Sequence, residues 1–197
     1  MTQPKTTDNA EVYGYNGTNW HEARIDTSSR AQTGIGYPHH EAHDGNLYTA
    51  YRGDTLATND TIVIAVTTPA GAEEQHIFWE MYSSGGVIFE ILRDVTSYTG
   101  GTAFTPRQHH FRSNNTSNCT VKVGSNGALA DGIVLTGGTE WLKRSHGAGR
   151  TTGGTTEHDD EHILEESEIN GYRITAVSNG IVCDLSLTWY EHTPKAV

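Results

Sequence analysis

Apolar and polar positions along this chain fall into short runs broken by glycine, asparagine and proline. Asn46–Tyr51 reads as a first strand. Thr61–Thr68, TIVIAVTT, is a continuous apolar run rich in β-branched residues, which predicts a strand buried on both faces. Pro69-Ala70-Gly71 ends it. Gln75–Ser83 (QHIFWEMYS) and Val87–Val95 (VIFEILRDV) are the next two runs. Ser83-Ser84-Gly85-Gly86 between them predicts a hairpin. Phe104–Arg112 and Asn118–Val123 follow, separated by the polar turn Ser113–Ser117. Asp131–Thr136 and Thr139–Arg144 are shorter, with Gly137-Gly138 between them. Residues 145–157 read as a long Gly/Thr loop, and Glu161–Glu166 as a short acidic segment.

The end of the chain carries the clearest pattern. Gly171–Val177 and Ile181–Glu191 flank Ser178-Asn179-Gly180, where Asn-Gly supplies the positive φ of a tight hairpin turn. In the last run Ile181, Cys183, Leu185, Leu187 and Trp189 are all apolar and should face a core. Val182, Asp184, Ser186, Thr188 and Tyr190 form the more polar alternate set, expected toward solvent. A slip of one residue would bury Asp184, so the register is well specified.

These signals give about nine or ten strands and no convincing amphipathic helix; the best helical stretch, Thr156–Asn170, has poor apolar spacing. The fold class expected is all-β, a two-sheet antiparallel sandwich of jelly-roll type. Residues 1–38 differ from the rest. They are polar and aperiodic, with Tyr13, Tyr15, Trp20 and Tyr37 as isolated aromatics, and read as an extended N-terminal arm. Residues 39–197 then form the sandwich domain.

Composition sharpens this picture. With 197 residues the chain can bury a core without disulfide help, and its 22 glycines suit many turns. A formal net charge of -11 argues against binding a nucleic-acid backbone. Cys119 and Cys183 lie in predicted strands and read as buried thiols; the absence of a C-x-x-C pair argues against structural zinc. Met1–Ala10 is polar, so no secretory signal is expected, and no apolar run is long enough to span a membrane. The N-x-[ST] triplets at Asn16, Asn114 and Asn118 then read as turn chemistry.

Candidate chemistry adds little. His39, His40 and His43 cluster, as do His158 and His162, but the i,i+4 spacing serves a metal only on a helix. On a strand such residues lie about 13 Å apart. No metal or other cofactor is expected there. Residues 157–168 hold seven acidic side chains without a calcium-loop pattern and read as a solvated loop. Arg52-Gly53-Asp54 falls at the end of a predicted strand and is a chance tripeptide. No nucleophile elbow, phosphate loop or thiol-protease signature occurs, so the chain is expected to bind rather than catalyse. Trp79, Phe78, Phe89 and Trp189 read as core. Trp141 is the best surface aromatic, followed by Lys143, Arg144 and a glycine-rich stretch. With Arg107, Arg112 and Arg150 these form the basic residues of a candidate patch for an acidic partner, and Trp20 is a candidate contact in the arm.

Several segments, in order, resemble a group of tailed-phage virion proteins. PHHEAHDGNLYTAY from Pro38 is similar to an "EHHEIHEG" opening followed by an aromatic strand. Thr67-Thr68-Pro69 with Gln75-His76-Ile77-Phe78-Trp79-Glu80 resembles "TPN…HxxW". Phe111–Ser117 resembles "NRNRNSST", and Ser145–Gly149 with Gly153-Gly154 resembles "GSGKxxGG". Leu187-Thr188-Trp189-Tyr190-Glu191-His192 resembles a closing "DWYEH". The likeness runs from about residue 20 to 192. It departs at His109-His110, where the group has Asn or Arg, and at Ser145-His146, which interrupts the Gly-Lys element. The resemblance implies a virion structural subunit made in the host cytoplasm, a capsid decoration or cement protein that contacts the major capsid protein. It also implies a homo-oligomer, a trimer in preference to a dimer. It brings no catalytic residues. A carbohydrate- or receptor-binding module of a phage fibre or tail is the alternative, motivated by Trp141 and the glycine-rich loops.

Overall fold

The computed structural model describes residues 13–15, 20–22, 42, 44–71, 73–153 and 162–192, with the backbone alone at 13–15, 20–22 and 150–153. The chain divides into two compact units, residues 1–36 with 194–197, and residues 37–193. In the first, β1 (Tyr13–Tyr15) pairs antiparallel with β2 (Trp20–Glu22), a short ribbon inside the stretch read as an aperiodic arm.

The second unit is a two-sheet antiparallel sandwich. Its strands are β3 (Leu47–Leu56), β4 (Thr61–Thr67), β5 (Glu74–Ser83), β6 (Val87–Gly100), β7 (Thr102–Phe104), β8 (Arg107–Gln108), β9 (Thr120–Ser125), β10 (Ile133–His146), β11 (Gly149–Gly153), β12 (His162–Leu164), β13 (Ile169–Ala176) and β14 (Ile181–His192). One sheet has the order β10-β6-β13-β4-β9-β7. The other has β11-β5-β14-β3-β8, with β12 also on β5. Without β7, β8 and β9, the sheets reduce to β3-β14-β5-(β11, β12) facing β4-β13-β6-β10. That is jelly-roll order, in which the chain crosses from sheet to sheet at β3/β4, β4/β5, β5/β6, β10/β11, β12/β13 and β13/β14.

Two predicted hairpins are therefore corrected. Ser83–Gly86 joins β5 to β6, and Ser178–Gly180 joins β13 to β14, yet neither pair shares a sheet. The turn chemistry is as read, and Gly180 has φ of 74°. The two strands instead pack across the core, because each has better partners beside it. β14 lies between β3 and β5 from Cys183 to Tyr190. Other segments are longer than predicted. Asp131–Thr136 and Thr139–Arg144 merge into β10, whose register shifts at Thr136/Gly137. Gly137 absorbs that bulge with φ of 71°. The stretch read as a Gly/Thr loop contains the end of β10 and all of β11. Phe104–Arg112 is not one strand but the end of β7 and the short β8, in different sheets.

The core follows the alternation. Ile181, Cys183, Leu185, Leu187 and Trp189 are all buried against Ile62, Ile64, Phe89 and Ile174 of the facing sheet. Trp79 meets Phe89 between the sheets with ring centroids 4.3 Å apart. The opposite face of β14 differs from expectation at one place, since Tyr190 is buried, stacked on His76. Strand β4 is buried on both faces, as its unbroken apolar run requires. Val63 and Ala65 face outward and are covered by Ile133, Leu135 and Tyr98. Gly171 makes room for this layer, because a Cβ there would collide with the Leu135 side chain. Both cysteines are buried free thiols. Burial, then the charge of Asp184, pushes Cys183 up to about 11, which leaves it unreactive at neutral pH.

Candidate functional site

Two places gather chemistry, and neither is the pair of histidine clusters read from spacing. His39, His40, His43 and His158 lie outside the described residues. The first place is one corner of the sandwich, where β14 ends. Alternation puts Trp189 and Glu191 on one face of β14, and Tyr190 and His192 on the other. Glu191 is buried. Its Oε1 accepts from the Trp189 indole at 3.0 Å and the Ser117 hydroxyl at 2.5 Å, and Oε2 from the Asn118 backbone N–H at 3.0 Å. Asn115 donates from its side chain to the Asp44 carbonyl at 3.2 Å and to Asn46 Oδ1 at 3.0 Å. The Glu191 N–H bonds the Asn46 carbonyl at 3.1 Å. A polar hollow of about 400 Å³ opens here, lined by Asn46, Tyr48, Glu73, Asn118, Glu191 and His192 among others. Burial and then Glu191 hold the Tyr48 hydroxyl neutral, up at about 12.

On the other face of β14, His192 lies opposite Glu74 on β5, and Tyr190 opposite His76. Glu74 and His76 share a face of β5 at i,i+2 spacing. The His76 and His192 Nε2 atoms approach to 2.7 Å, and Glu74 Oε2 lies 3.4 Å from the first and 3.7 Å from the second. The Tyr190 ring stacks on His76 at 4.6 Å and 11°, which fixes the imidazole plane. Sequence spacing alone missed this set, because its third member arrives from a strand more than a hundred residues away. An acid and a histidine two apart on one strand was the available signal.

The second place is a cleft of about 200 Å³ where the two sheets part beside β10. Trp141 lies there, 49% exposed, at the second register shift of β10, between Glu140 and Leu142. Its ring meets His162 of β12 edge-on at 4.2 Å. Arg93 and Ile91 of β6 and Asn170 and Tyr172 of β13 supply the floor. Asn170 and Tyr172 are fully buried, and neither the Asn170 amide atoms nor the Tyr172 hydroxyl has a hydrogen-bond partner. Buried polar groups are normally satisfied, so these three unpaired atoms beneath one exposed tryptophan are an exception to the rule. Arg93 is held by Glu165 at 2.8 Å and Glu168 at 3.7 Å.

The candidate basic residues are spread over several elements. Lys143 pairs with Glu90 at 2.8 Å and Glu140 at 3.4 Å, so its charge is locally balanced. Arg144 is exposed on the same edge strand. Arg107 lies on β8, at the far end of the strand order of the other sheet, with its guanidinium over the Tyr51 ring at 4.8 Å. Arg112 is exposed in the segment after β8. Arg150 on β11 and Trp20 on β2 are placed by backbone only. The Arg52-Gly53-Asp54 tripeptide is inside β3 rather than at its end. Arg52 pairs with Asp131, and Asp54 accepts from Ser125 at 2.6 Å and Leu129 N–H at 3.1 Å. Both charges are committed to holding the β9–β10 connection.

No helix among the described residues is long and apolar enough to cross a membrane. Comparison of the chain with protein-family models, with curated proteins and with solved structures gives no match.

Proposed function

We propose that this chain is a virion structural protein that decorates and cements the outer surface of a phage capsid. The observation that carries this reading is a convergence. Four of the segments that resemble the tailed-phage group lie far apart in sequence but meet at the β14 corner. The segment after Pro38 contributes Asp44 and Asn46, and Gln75–Glu80 contributes His76. Phe111–Ser117 contributes Asn115 and Ser117, and the closing segment contributes Glu191 and His192. Matches arising by chance have no reason to share one hydrogen-bonded corner, whereas a family fold built on it would keep those residue types. The jelly-roll body suits a rigid surface subunit, and the net charge of -11 suits a position outside the genome. In this reading the protein assembles as a homo-oligomer, a trimer at a symmetry axis of the shell, and the segment before residue 37 extends its contact with the major capsid protein.

Quantitative mass spectrometry of purified particles tests this. A copy number that matches the shell's repeated symmetry sites is expected, and absence or a few copies per particle would overturn it. Light scattering of the full chain and of a chain lacking residues 1–36, each with capsid binding, tests the arm. A trimer that loses capsid binding without the segment is the expected outcome.

The Trp141 cleft favours a second reading, a glycan- or receptor-binding module of a fibre or tail. An exposed indole gives a stacking face for a sugar ring, and the Asn170 amide and Tyr172 hydroxyl are unspent hydrogen-bonding groups below it. Binding on a glycan array that disappears in Trp141→Ala would support it. Binding that survives the substitution would exclude this cleft.

A further inference from the structure

We propose that Glu74, His76 and His192 form a binding site for a divalent transition-metal ion of the zinc class, clamping β14 to β5. Three potential ligand atoms, one from each residue, lie within 4.8 Å of one another. The donor set, two imidazole nitrogens and one carboxylate oxygen, is of borderline softness, which suits zinc and its neighbours over calcium or magnesium. A tetrahedral ion with bonds of ~2.0–2.1 Å holds its ligand atoms roughly 3.3–3.4 Å apart. Of the two distances to Glu74, 3.4 Å matches that figure and 3.7 Å exceeds it by about 0.3 Å. The two Nε2 atoms at 2.7 Å are closer, and need only a small outward rotation of His192, whose side chain is the more exposed of the two.

The sheet register explains why these residues converge. Strand partners on the same face are the β counterpart of helical i,i+4 ligands. His192 faces Glu74 directly across the β5–β14 ladder, and His76 is the diagonal neighbour. The positions are also held in advance. Tyr190 fixes the His76 ring by stacking, and β14 is pinned one residue before His192 by the buried Glu191 network. At 2.7 Å the pair is joined by an N–H···N hydrogen bond; with His192 rotated slightly outward both lone pairs can face one cation, with a coordination position left beyond these three residues.

The test uses the full untagged chain, stripped with a chelator and titrated with Zn²⁺ by calorimetry, with Co²⁺ as a spectroscopic probe. Binding of one Zn²⁺ per chain at these residues is expected, with the visible bands of four-coordinate Co²⁺. Saturation at about 100-fold above Kd should raise Tm by roughly 5–10 °C. Glu74→Gln is the decisive variant, because this carboxylate is 40% exposed and its loss should leave the fold intact. It should weaken Zn²⁺ binding at least ~10-fold, since even partners outside the coordination sphere are worth that much. His192→Gln should do the same and abolish the Co²⁺ bands. Failure of the wild-type chain to take up Zn²⁺ would overturn the proposal. So would variants that bind as tightly as wild type, which would place the ion on other histidines. Neither result bears on particle copy number, so the capsid reading and the metal site can fail separately.

Discussion

Glu191 accepts the indole N–H of Trp189 at 3.0 Å, two residues back on the same strand. The contact joins the largest fully buried side chain of the core to a buried carboxylate that also gathers Ser117 and Asn118. Glu191→Ala would leave several buried donors unsatisfied. A loss of about 2–4 kcal/mol is expected. Glu191→Gln keeps one acceptor oxygen but turns an amide toward a donor, and should cost roughly half as much. Urea unfolding of the two variants checks this, and a cost below that of a typical surface substitution would show that the corner is not held by Glu191.

The cleft predicts a stability change of opposite sign. Tyr172 is fully buried with an unpartnered hydroxyl. Tyr172→Phe removes the unsatisfied group and keeps the ring. The free protein should be unchanged or up to about 1 kcal/mol more stable. If the cleft takes a polar ligand, the same variant should bind it less well. Thermal denaturation of the free protein, set beside binding of that ligand, separates the two effects.

Acid should unfold the sandwich through three carboxylates. Desolvation alone would raise Glu90, but hydrogen bonds from Arg173 and Lys143 outweigh it and hold the group below its ordinary value. Desolvation would likewise raise Asp54 and Asp131, but both are lowered, Asp54 by bonds from Ser125 and Leu129 N–H and Asp131 by Ser125 N–H, Thr102 and Arg52. A depressed folded pKa means stability that is fully present above the unfolded value and lost as pH falls through the folded one. Unfolded values are near 3.8 for Asp and 4.5 for Glu. These three groups should therefore add nothing to the pH dependence of Tm between about 7 and 5 and should lower it progressively below about 4. Asp131→Asn should be less stable at neutral pH and show a shallower acid limb.

Glu168 runs the other way. Desolvation and the neighbouring Asp94 raise its pKa, against the opposing pull of Arg93. Stability from a raised group is present below its unfolded value and lost as pH rises through its folded value. Ionised Glu168 is thus a cost at neutral pH. Glu168→Gln should stabilise the protein at pH 7, by up to about 1 kcal/mol, with the gain shrinking as pH falls toward the ordinary carboxylate range. Tm measured across that range for both proteins tests the sign.

Local physics determined a good deal from the sequence alone. Alternation along Ile181–Trp189 assigned the core face of β14, and the unbroken run Thr61–Thr67 assigned a strand buried on both sides. Trp141 stood out as the best surface aromatic of the β-body, followed by Lys143, Arg144 and glycines, and it is exposed. Asn179-Gly180 marked a turn that exists. What that turn connects was decided by the tertiary structure. A turn residue sets φ and ψ over a few positions, and those positions serve equally to lay the next strand beside the last or across the core from it. The competition among partners chose the second, because β3 and β5 each offered β14 a ten-residue ladder. The same long-range pairing brought His192 beside His76, and set Glu191 at the meeting point of four distant segments. It also left the polar atoms of the Asn170 and Tyr172 side chains buried without hydrogen-bond partners. Strand faces are a matter of period two and could be read directly. Which faces meet depends on ladders formed between residues a hundred positions apart, and no local pattern encodes that choice.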